Sequence, residues 1–125
     1  MDLDLTGKTA VVCGSTQGLG YATAVELSLL GANIVLMSRN EGKLQKALQE
    51  LHVKKGQVHE YIVADFSETQ HVKNAIDTFI NQNKTAEILI NNTGGPARGT
   101  ALNASIGEFL EAFNSHLICN HILVQ

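Results

Sequence analysis

The sequence predicts an α/β fold in which helices cover both faces of a doubly wound parallel sheet. Short apolar runs alternate with longer amphipathic segments, and this pair of elements occurs four times within 125 residues. The connections between the elements are short, which favours right-handed crossovers and parallel strands. With 44% apolar and 17% charged residues, the chain has the composition of one folded domain and not that of a disordered segment.

The first strand is predicted over residues 8–13, because a continuous apolar run is typical of a strand that is covered on both faces. A helix over residues 18–30 follows and ends at Gly31, since glycine commonly terminates helices. Cys13 lies in the apolar run and is expected to be an inert core residue. The inner face of the helix is predicted to carry Leu19, Ala22, Val25 and Leu29.

The second strand, "NIVLM", is predicted over residues 33–37, and an amphipathic helix over residues 40–55 follows it. Asn40 is a suitable N-cap for this helix, since its side-chain oxygen can accept a hydrogen bond from a free backbone N–H group. The inner face is predicted to carry Leu44, Leu48 and Leu51.

A third strand over residues 57–66 is predicted to end near Asp65, and a third helix over residues 67–83 follows it. Ser67 and Gln70 have the spacing of a capping box, in which two side chains satisfy free N–H groups at a helix start. The helix is predicted to face inward through Val72, Ile76 and either Phe79 or Ile80.

The fourth strand is predicted over residues 87–92 and continues into a glycine-rich loop, residues 93–105, which contains the only proline. The remaining residues, 106–125, are predicted to form a single helix. One stripe of this helix carries Phe109, Phe113 and Leu117.

Three glycines, Gly14, Gly18 and Gly20, directly follow the first strand. Ligands of parallel sheets bind beyond the carboxyl ends of the strands, where a helix N-terminus offers free N–H groups to a phosphate. Glycine lets the backbone approach such a group closely. The spacing G-x-x-x-G-x-G differs from the commonest dinucleotide motif, and a tight turn alone also explains it. The lack of a G-K-[ST] ending disfavours a nucleoside triphosphate.

Polar residues follow the other three strands as well. Ser38 and Arg39 end the second strand, where dinucleotide-binding folds contact the adenosine ribose. An arginine at this position suits a 2′-phosphate, whereas an acid suits a free 2′-hydroxyl. Asp65 ends the third strand and "NNTGG", residues 91–95, ends the fourth. We expect all of these positions to line one crevice.

These motifs, in this order, resemble the N-terminal part of a short-chain dehydrogenase/reductase, a family of Rossmann-fold NAD(P)-dependent oxidoreductases. "GSTQGLG" at residues 14–20 is similar to the glycine motif of the family, and "NNTGG" is similar to its N-N-A-G motif. Asp65 matches the aspartate that contacts adenine. The resemblance covers the whole chain. It implies a Rossmann-type sheet that is truncated after strand four and the following helix, forming a single incomplete NAD(P)-binding domain over residues 1–125.

The resemblance also implies cofactor contacts at the ends of all four strands. Arg39 would favour NADP over NAD, while Gln17 stands where many NADP-dependent members carry a second basic residue, and Cys13 stands where threonine is usual. The implied cofactor-binding residues are Gly14, Ser15, Thr16, Gly18, Leu19, Ser38, Arg39, Asp65, Phe66, Asn92, Thr93 and Gly94.

The chemistry of the family is hydride transfer between the nicotinamide and a carbonyl or alcohol substrate, and it uses a serine and a Tyr-x-x-x-Lys pair. Tyr21 and Tyr61 are the only tyrosines, and the residues four positions later are Val25 and Asp65. We therefore assign no catalytic residue in these 125 residues and expect the chain alone to be inactive. The tyrosine–lysine pair of the family normally lies beyond the position of Gln125.

His116 aligns with a position that is usually a structural and catalytic asparagine in the family. A shifted alignment places Asn114 or Asn120 there instead, although neither fits the apolar pattern as well. We expect His116 to pack or to form hydrogen bonds, with a role in a proton relay as the alternative. His121 is expected to have the same structural role.

Composition limits the partners. The net charge of −3 and the absence of a basic stripe argue against nucleic acid, and no apolar stretch is long enough to span a membrane. The start of the chain, residues 1–8, lacks the layout of a secretion signal, so we expect a cytoplasmic protein. Cys13 and Cys119 are too few for a disulfide framework or a metal site. The stripe of the last helix resembles the subunit-contact helix of the family and implies a homo-oligomer.

Three functions remain open at this point. The chain is part of an NADP-dependent reductase whose substrate is a 3-oxoacyl thioester, a sugar, a steroid or a small ketone. Alternatively, it is a non-catalytic dinucleotide-binding or regulatory module. A third possibility is another nucleotide-binding α/β protein, such as an S-adenosylmethionine-dependent methyltransferase, which would favour an acid at the position of Arg39.

Overall fold

The computed structural model of the chain describes residues 3–125. Residues 1 and 2, the start of the segment in which we expect no secretion signal, lie outside this range. Four parallel strands form one sheet in the order β3-β2-β1-β4, which confirms the predicted α/β fold. The strands are β1 (Thr9–Cys13), β2 (Asn33–Ser38), β3 (Glu60–Val63) and β4 (Ile88–Ile90).

Helices cover both faces of the sheet, as predicted for a doubly wound fold. Alternate residues of β1 face opposite sides, so that Ala10 and Val12 join one buried cluster while Val11 and Cys13 join the other. The first cluster includes residues of α1 and α2, and the second includes residues of α3 and α5. The helices are α1 (Gly18–Leu29), α2 (Glu41–Gln49), α3 (Thr69–Asn81), α4 (Ile106–Phe113), a π-helical segment (Asn114–Ile118) and α5 (Cys119–Val124).

The order of the strands determines where a ligand can bind. β2 and β3 lie on one side of β1, and β4 lies on the other. The direction in which successive strands are added to the sheet therefore reverses at β1. In open parallel sheets the crevice at such a reversal, outside the carboxyl ends of the strands, is the usual ligand site. Cys13 is in register with Met37 of β2, and Val12 is in register with Ile90 of β4.

The inner face of α1 differs from the prediction. Leu19 is 81% exposed, and the buried residues of the helix are Gly20, Ala24 and Ser28. The reason is the close approach of α1 to the end of β1, where a Cβ atom added to Gly20 would lie 2.3 Å from the carbonyl oxygen of Gly14. Small residues must therefore face the sheet, and the leucine at the start of the helix turns outward.

The predicted capping box of α3 is wrong. Asp65 Oδ1 accepts hydrogen bonds from the backbone N–H of Ser67 at 3.0 Å and from its hydroxyl at 2.8 Å. The serine side chain is therefore engaged before the helix begins, and Glu68 occupies the N-cap position without a side-chain bond. Gln70 donates to Asn74 instead of reaching back to the helix start. By contrast, Asn40 caps α2 as predicted, at 2.9 Å from the N–H of Lys43.

The last helix is not one regular α-helix. It starts with a capping box between Ser105 and Glu108, and the π-helical segment interrupts it after Phe113. Such π-helical turns are rare and frequently lie at functional sites. Within residues 3–125, no helix combines the length and the apolar character that crossing a membrane requires.

Candidate functional site

A cleft with a volume of about 550 Å³ lies at the carboxyl ends of the strands, where the chain reverses at β1. The four strand ends that the sequence singled out all contribute to it, so the structure brings them together. Of the residues predicted to contact a cofactor, Ser15 is not among those that line the cleft. The others line it: Gly14, Thr16, Gly18, Leu19, Ser38, Arg39, Asp65, Phe66, Asn92, Thr93 and Gly94.

The glycine turn between β1 and α1 forms the floor of the cleft. Gly14 has a φ of +57°. An added Cβ atom would lie 2.7 Å from two atoms of Asn92, the side-chain Nδ2 and the backbone carbonyl oxygen. Gly18 has a φ of +60° at the start of α1, but an added Cβ atom would meet nothing within 4 Å. Gly14 is therefore required for packing, whereas Gly18 borders open space. The first N–H groups of α1 lack partners within the helix and are available to a ligand.

Ser15 holds the glycine turn against β2. Its side chain is fully buried, and its hydroxyl oxygen accepts a hydrogen bond from the N–H of Met37 at 3.1 Å. The N–H of Gly14 donates to the carbonyl oxygen of Met37 at 2.9 Å. The side chain of Ser15 is thus engaged by the neighbouring strand, which fixes the position of the turn.

Asn92 connects the end of β4 to the same turn. Its side-chain amide donates to the carbonyl oxygens of Cys13 and Gly14, each at 3.3 Å. These bonds occur where β1 and β4 separate after their last paired residues. The Asn92 side chain therefore keeps the two strand ends together below the cleft.

Thr93 and His116 link the cleft to the π-helical segment. The Thr93 hydroxyl and His116 Nδ1 are 2.7 Å apart and form a hydrogen bond. The side-chain amide of Asn120 donates to the carbonyl oxygen of His116 at 2.6 Å. The other atom of that amide group, Asn120 Oδ1, is buried and has no hydrogen-bond partner within residues 3–125. His116 is thus held by a hydrogen bond to Thr93, which lies three residues after β4.

Two oppositely charged groups of the cleft, Asp65 and Arg39, follow the neighbouring strands β3 and β2. Asp65 lies two residues after β3. The Ser67 N–H and hydroxyl hold the pKa of its carboxyl below the usual value, with a smaller contribution from the positive charge of Arg39. Arg39 follows β2, the strand that pairs with β3, and its positive charge acts on the nearby Asp65 carboxylate. Asp65 is therefore ionised at neutral pH, and its negative charge is satisfied mainly by the residues that follow it.

The lining residues that the sequence did not single out as site residues include Lys43, Glu111 and Ser115. Lys43 comes from the first turn of α2, three residues after the Asn40 cap, and its spacing in the sequence does not indicate that it reaches the cleft. Glu111 and Ser115 come from α4 and the π-helical segment. Ser115 donates to the carbonyl oxygen of Phe66 at 3.0 Å, and no sequence signal indicated this contact because the π-helical segment sets its orientation.

A second cleft of about 540 Å³ adjoins the first, between the loop after β4 and α4. Gly94, Gly95, Glu111 and Ser115 line both clefts, and His116 lines the second. A small molecule in the second cleft would therefore lie beside a ligand in the first. No group of histidine, cysteine and acidic residues that could hold a metal ion exists in the part of the chain that the structure describes.

Cys13 has the inert core position that the sequence predicted. It is fully buried, and burial raises the pKa of its thiol to about 12. Burial also raises the pKa of the Cys119 thiol, whose sulfur donates to the carbonyl oxygen of Phe66 at 3.4 Å. Neither thiol is positioned for nucleophilic chemistry, since reactivity requires an accessible thiolate.

Comparison with known proteins gives consistent matches. Residues 8–119 match the family described as short chain dehydrogenase. An uncharacterised oxidoreductase of Schizosaccharomyces pombe is 40% identical over 93 residues, which cover 73% of this chain and 27% of that protein. The human protein named inactive hydroxysteroid dehydrogenase-like protein 1 is 41% identical over 88 residues, covering 70% of this chain and 26% of that protein.

Solved structures match over nearly the whole chain. L-Sorbose reductase from Gluconobacter frateurii, complexed with NADPH and L-sorbose, superposes with a TM-score of 0.88 at 27% identity, covering 99% of this chain and 47% of that one. A metagenomic short-chain oxidoreductase in complex with NADP gives a TM-score of 0.84 at 28% identity, covering 97% and 55%. The chain therefore spans about half the length of these structures.

Proposed function

Because the chain belongs to the short-chain dehydrogenase family, we propose that it is the dinucleotide-binding part of an NADP-dependent short-chain dehydrogenase/reductase. The whole protein then catalyses reversible hydride transfer between the nicotinamide and a carbonyl or alcohol substrate. The cofactor supplies the hydride chemistry, and the residues of this chain bind and orient it. Residues 1–125 are one incomplete Rossmann domain in this proposal.

The observation that carries the proposal is the meeting of four strand ends in one cleft. The N-terminus of α1 suits the diphosphate, because its free N–H groups and positive helix dipole face an anion. Gly18 leaves the approach to these groups open, since nothing lies within 4 Å of an added Cβ atom. The cleft thus combines space, hydrogen-bond donors and a positive electrostatic potential at one turn.

The remaining lining residues suit the other parts of a dinucleotide. Asp65 and Phe66 at the end of β3 would contact the adenine, while Asn92, Thr93 and Gly94 at the end of β4 would contact the nicotinamide-side ribose. The exposed Leu19 side chain lies at the same cleft and would cover the diphosphate. His116 would hold Thr93 in place through their hydrogen bond, with no catalytic role assigned to it.

The choice of NADP over NAD rests on the end of β2. Arg39 is exposed there, and an arginine provides the charge-assisted hydrogen bonds that a 2′-phosphate accepts. An acid, which would bind the free 2′-hydroxyl of NAD, is absent at Ser38 and Arg39. The NADP and NADPH complexes of the matching structures support this choice.

Titration of the purified chain with NADPH, NADH and S-adenosylmethionine tests the proposal. We expect NADPH to bind most tightly, NADH more weakly and S-adenosylmethionine not at all. The Arg39→Ala variant should narrow the difference between NADPH and NADH. Binding of S-adenosylmethionine with no binding of either dinucleotide would contradict the proposed function.

The second candidate function is a non-catalytic dinucleotide-binding or regulatory module. It is favoured by a relative whose name describes it as inactive. Either candidate predicts that the 125-residue chain binds NADPH without reducing carbonyl compounds, and turnover by this chain would show that the Tyr-x-x-x-Lys pair is dispensable. Assay of the product of the complete reading frame with NADPH and carbonyl substrates separates the two candidates.

We also propose a cytoplasmic homo-oligomer that forms through the last helix. Phe109, Phe113 and Leu117 are between 51% and 55% exposed, although they are large apolar residues on one stripe. Contiguous apolar surface of this kind commonly marks a protein–protein contact.

The substrate, a carbonyl or alcohol compound, would bind on the nicotinamide side of the cofactor.

A further inference from the structure

We infer that Lys43 is a second specificity-determining residue for NADP and that it binds the 2′-phosphate together with Arg39. This inference rests on the proposed function and deepens it. In sequence terms the basic residue expected within the glycine motif is absent, since Gln17 occupies that position. The structure places a different cation, from the first turn of α2, at the same cleft.

The position of Lys43 is fixed by the start of α2. Asn40 Oδ1 accepts from the Lys43 N–H at 2.9 Å, and the Leu44 N–H donates to the Asn40 carbonyl oxygen at 3.0 Å. Leu44 and Ala47 are buried against the sheet and set the rotation of the helix. Because side chains of a helix lean toward its N-terminus, the Lys43 side chain extends toward the end of β2. Its presence in the lining of the cleft agrees with this direction.

Arg39 and Lys43 are the only cationic side chains that line the cleft in the part of the chain that the structure describes. Both come from the connection between β2 and α2, so positive charge is concentrated at one end of the cleft. Of the acidic lining residues, Glu111 comes from α4, whereas Asp65 follows β3 beside the end of β2, where Arg39 acts on its charge. Among the lining side chains, two cations lie at the β2 end against the one carboxylate of Asp65, which Ser67 also engages. A dianionic group would therefore be attracted to the β2 end, where an NADP molecule in this cleft would carry its additional phosphate.

No carboxylate in residues 3–125 forms a salt bridge with Arg39 or Lys43. Glu41, the acid closest to Lys43 in sequence, accepts a hydrogen bond from the Tyr61 hydroxyl at 3.0 Å. Asp65 is engaged by Ser67, as described above. Both cations are also exposed, so a phosphate can bind them without breaking an ion pair or desolvating a buried charge.

Measuring binding constants of Lys43→Gln for NADPH and NADH tests this role. We expect the affinity for NADPH to fall about tenfold, the magnitude of one lost charge-assisted hydrogen bond, while the affinity for NADH stays within about twofold. Lys43→Arg should keep the preference for NADPH. Adenosine 2′,5′-bisphosphate and 5′-AMP should show the same contrast, because they differ by the same phosphate and do not need the nicotinamide side of the cleft.

Lys46→Gln is the matched control, since Lys46 is an exposed lysine of the same helix that does not line the cleft. It should leave both affinities unchanged, and the thermal unfolding of both variants should match that of the wild type. The inference would be overturned if Lys43→Gln lowered the affinities for NADPH and NADH equally or lowered neither. It would also be overturned if Lys46→Gln had the same effect as Lys43→Gln. If the wild-type chain binds neither dinucleotide, the proposed function itself fails, so the two failures are distinguishable.

Discussion

Gly20 lies where α1 approaches the end of β1, and the space there is too small for even one additional side-chain carbon atom. A Cβ atom there would lie 2.3 Å from the carbonyl oxygen of Gly14 and 2.8 Å from the side-chain amide of Asn92. The first neighbour is backbone and cannot move without shifting the glycine turn. The same turn presents the N–H groups proposed to bind the diphosphate, so packing and ligand binding depend on one set of backbone positions.

Gly20→Ala should therefore lower the free energy of unfolding by about 2–3 kcal/mol, the usual cost of forcing an extra methyl group into a packed site. Gly42→Ala is the control, because its Cβ atom would meet only Asn40 Oδ1, at 3.6 Å, on the exposed start of α2. Alanine in a helix is favoured over glycine, so Gly42→Ala should be neutral or stabilising by up to about 1 kcal/mol. Urea denaturation of both variants measures the difference, and equal stability of the two would contradict the close packing at Gly20.

Asp65 gives the fold a pH dependence with a definite sign. Its pKa is lower in the folded chain than in the unfolded one, chiefly because the Ser67 N–H and hydroxyl donate to the carboxylate. The ionised form therefore stabilises the fold above the unfolded-state pKa, and this contribution is lost as the pH falls through the folded value. Ser67→Ala should raise the Asp65 pKa toward its ordinary value, as measured by carbon NMR titration of the carboxyl group. An unchanged pKa in this variant would show that the Ser67 hydroxyl makes no contribution.

At the scale of elements, the sequence predicted what short-range chemistry determines. The strands, the Asn40 cap and the end of α1 before Gly31 follow from apolar runs and helix-terminating residues near each boundary. The inner face of α1 could not be predicted, because Gly20 faces the sheet only once β1 and β4 are adjacent. The predicted N-cap of α3 was wrong because the Ser67 N–H and hydroxyl both donate to Asp65, which leaves the hydroxyl engaged outside the helix.

The residues of the candidate site likewise include some that the sequence predicted and some that it did not. The glycine turn, Arg39 and Asp65 could be predicted because each follows a strand, and the carboxyl ends of parallel strands lie at one edge of the sheet. The π-helical segment and its contacts were missed, since the sequence pattern of a π-helical turn is that of an ordinary amphipathic helix. Lys43 was missed because helix direction, and not sequence spacing, brings it to the cleft.

The hydrogen bond between Thr93 and His116 joins the segment after β4 to the π-helical segment and predicts energetic coupling between the two residues. Thr93→Val and His116→Ala should each destabilise the chain by about 1 kcal/mol, and the double variant should lose less than the sum of the two. A double-mutant cycle measured by urea denaturation gives the coupling energy. Strictly additive losses would mean that the hydrogen bond does not stabilise this part of the fold.

At the scale of the whole molecule, β4 and the last helix leave apolar surface accessible. β4 pairs with β1 on one side only, and all three of its residues are half-buried. The stripe of Phe109, Phe113 and Leu117 is half-exposed. Unpaired strand edges and apolar helix faces both favour association. The proposed oligomer would cover the helix face.

Phe113→Glu should shift the chain toward the monomer, because a carboxylate in a desolvated apolar contact is costly. Sedimentation equilibrium measures the change. Glu111→Gln, at an exposed position two residues before Phe113, is a control that keeps the apolar stripe intact. A monomeric wild type, or a variant that associates as strongly as the wild type, would contradict assembly through this helix.

The most direct test of the central claim is a crystal structure of the chain with NADPH at saturating concentration. We expect the diphosphate to bind the backbone N–H groups at residues 14–20, with the 2′-phosphate beside Arg39 at the end of β2. A dinucleotide bound elsewhere, or electron density showing an empty cleft at full saturation, would contradict the account.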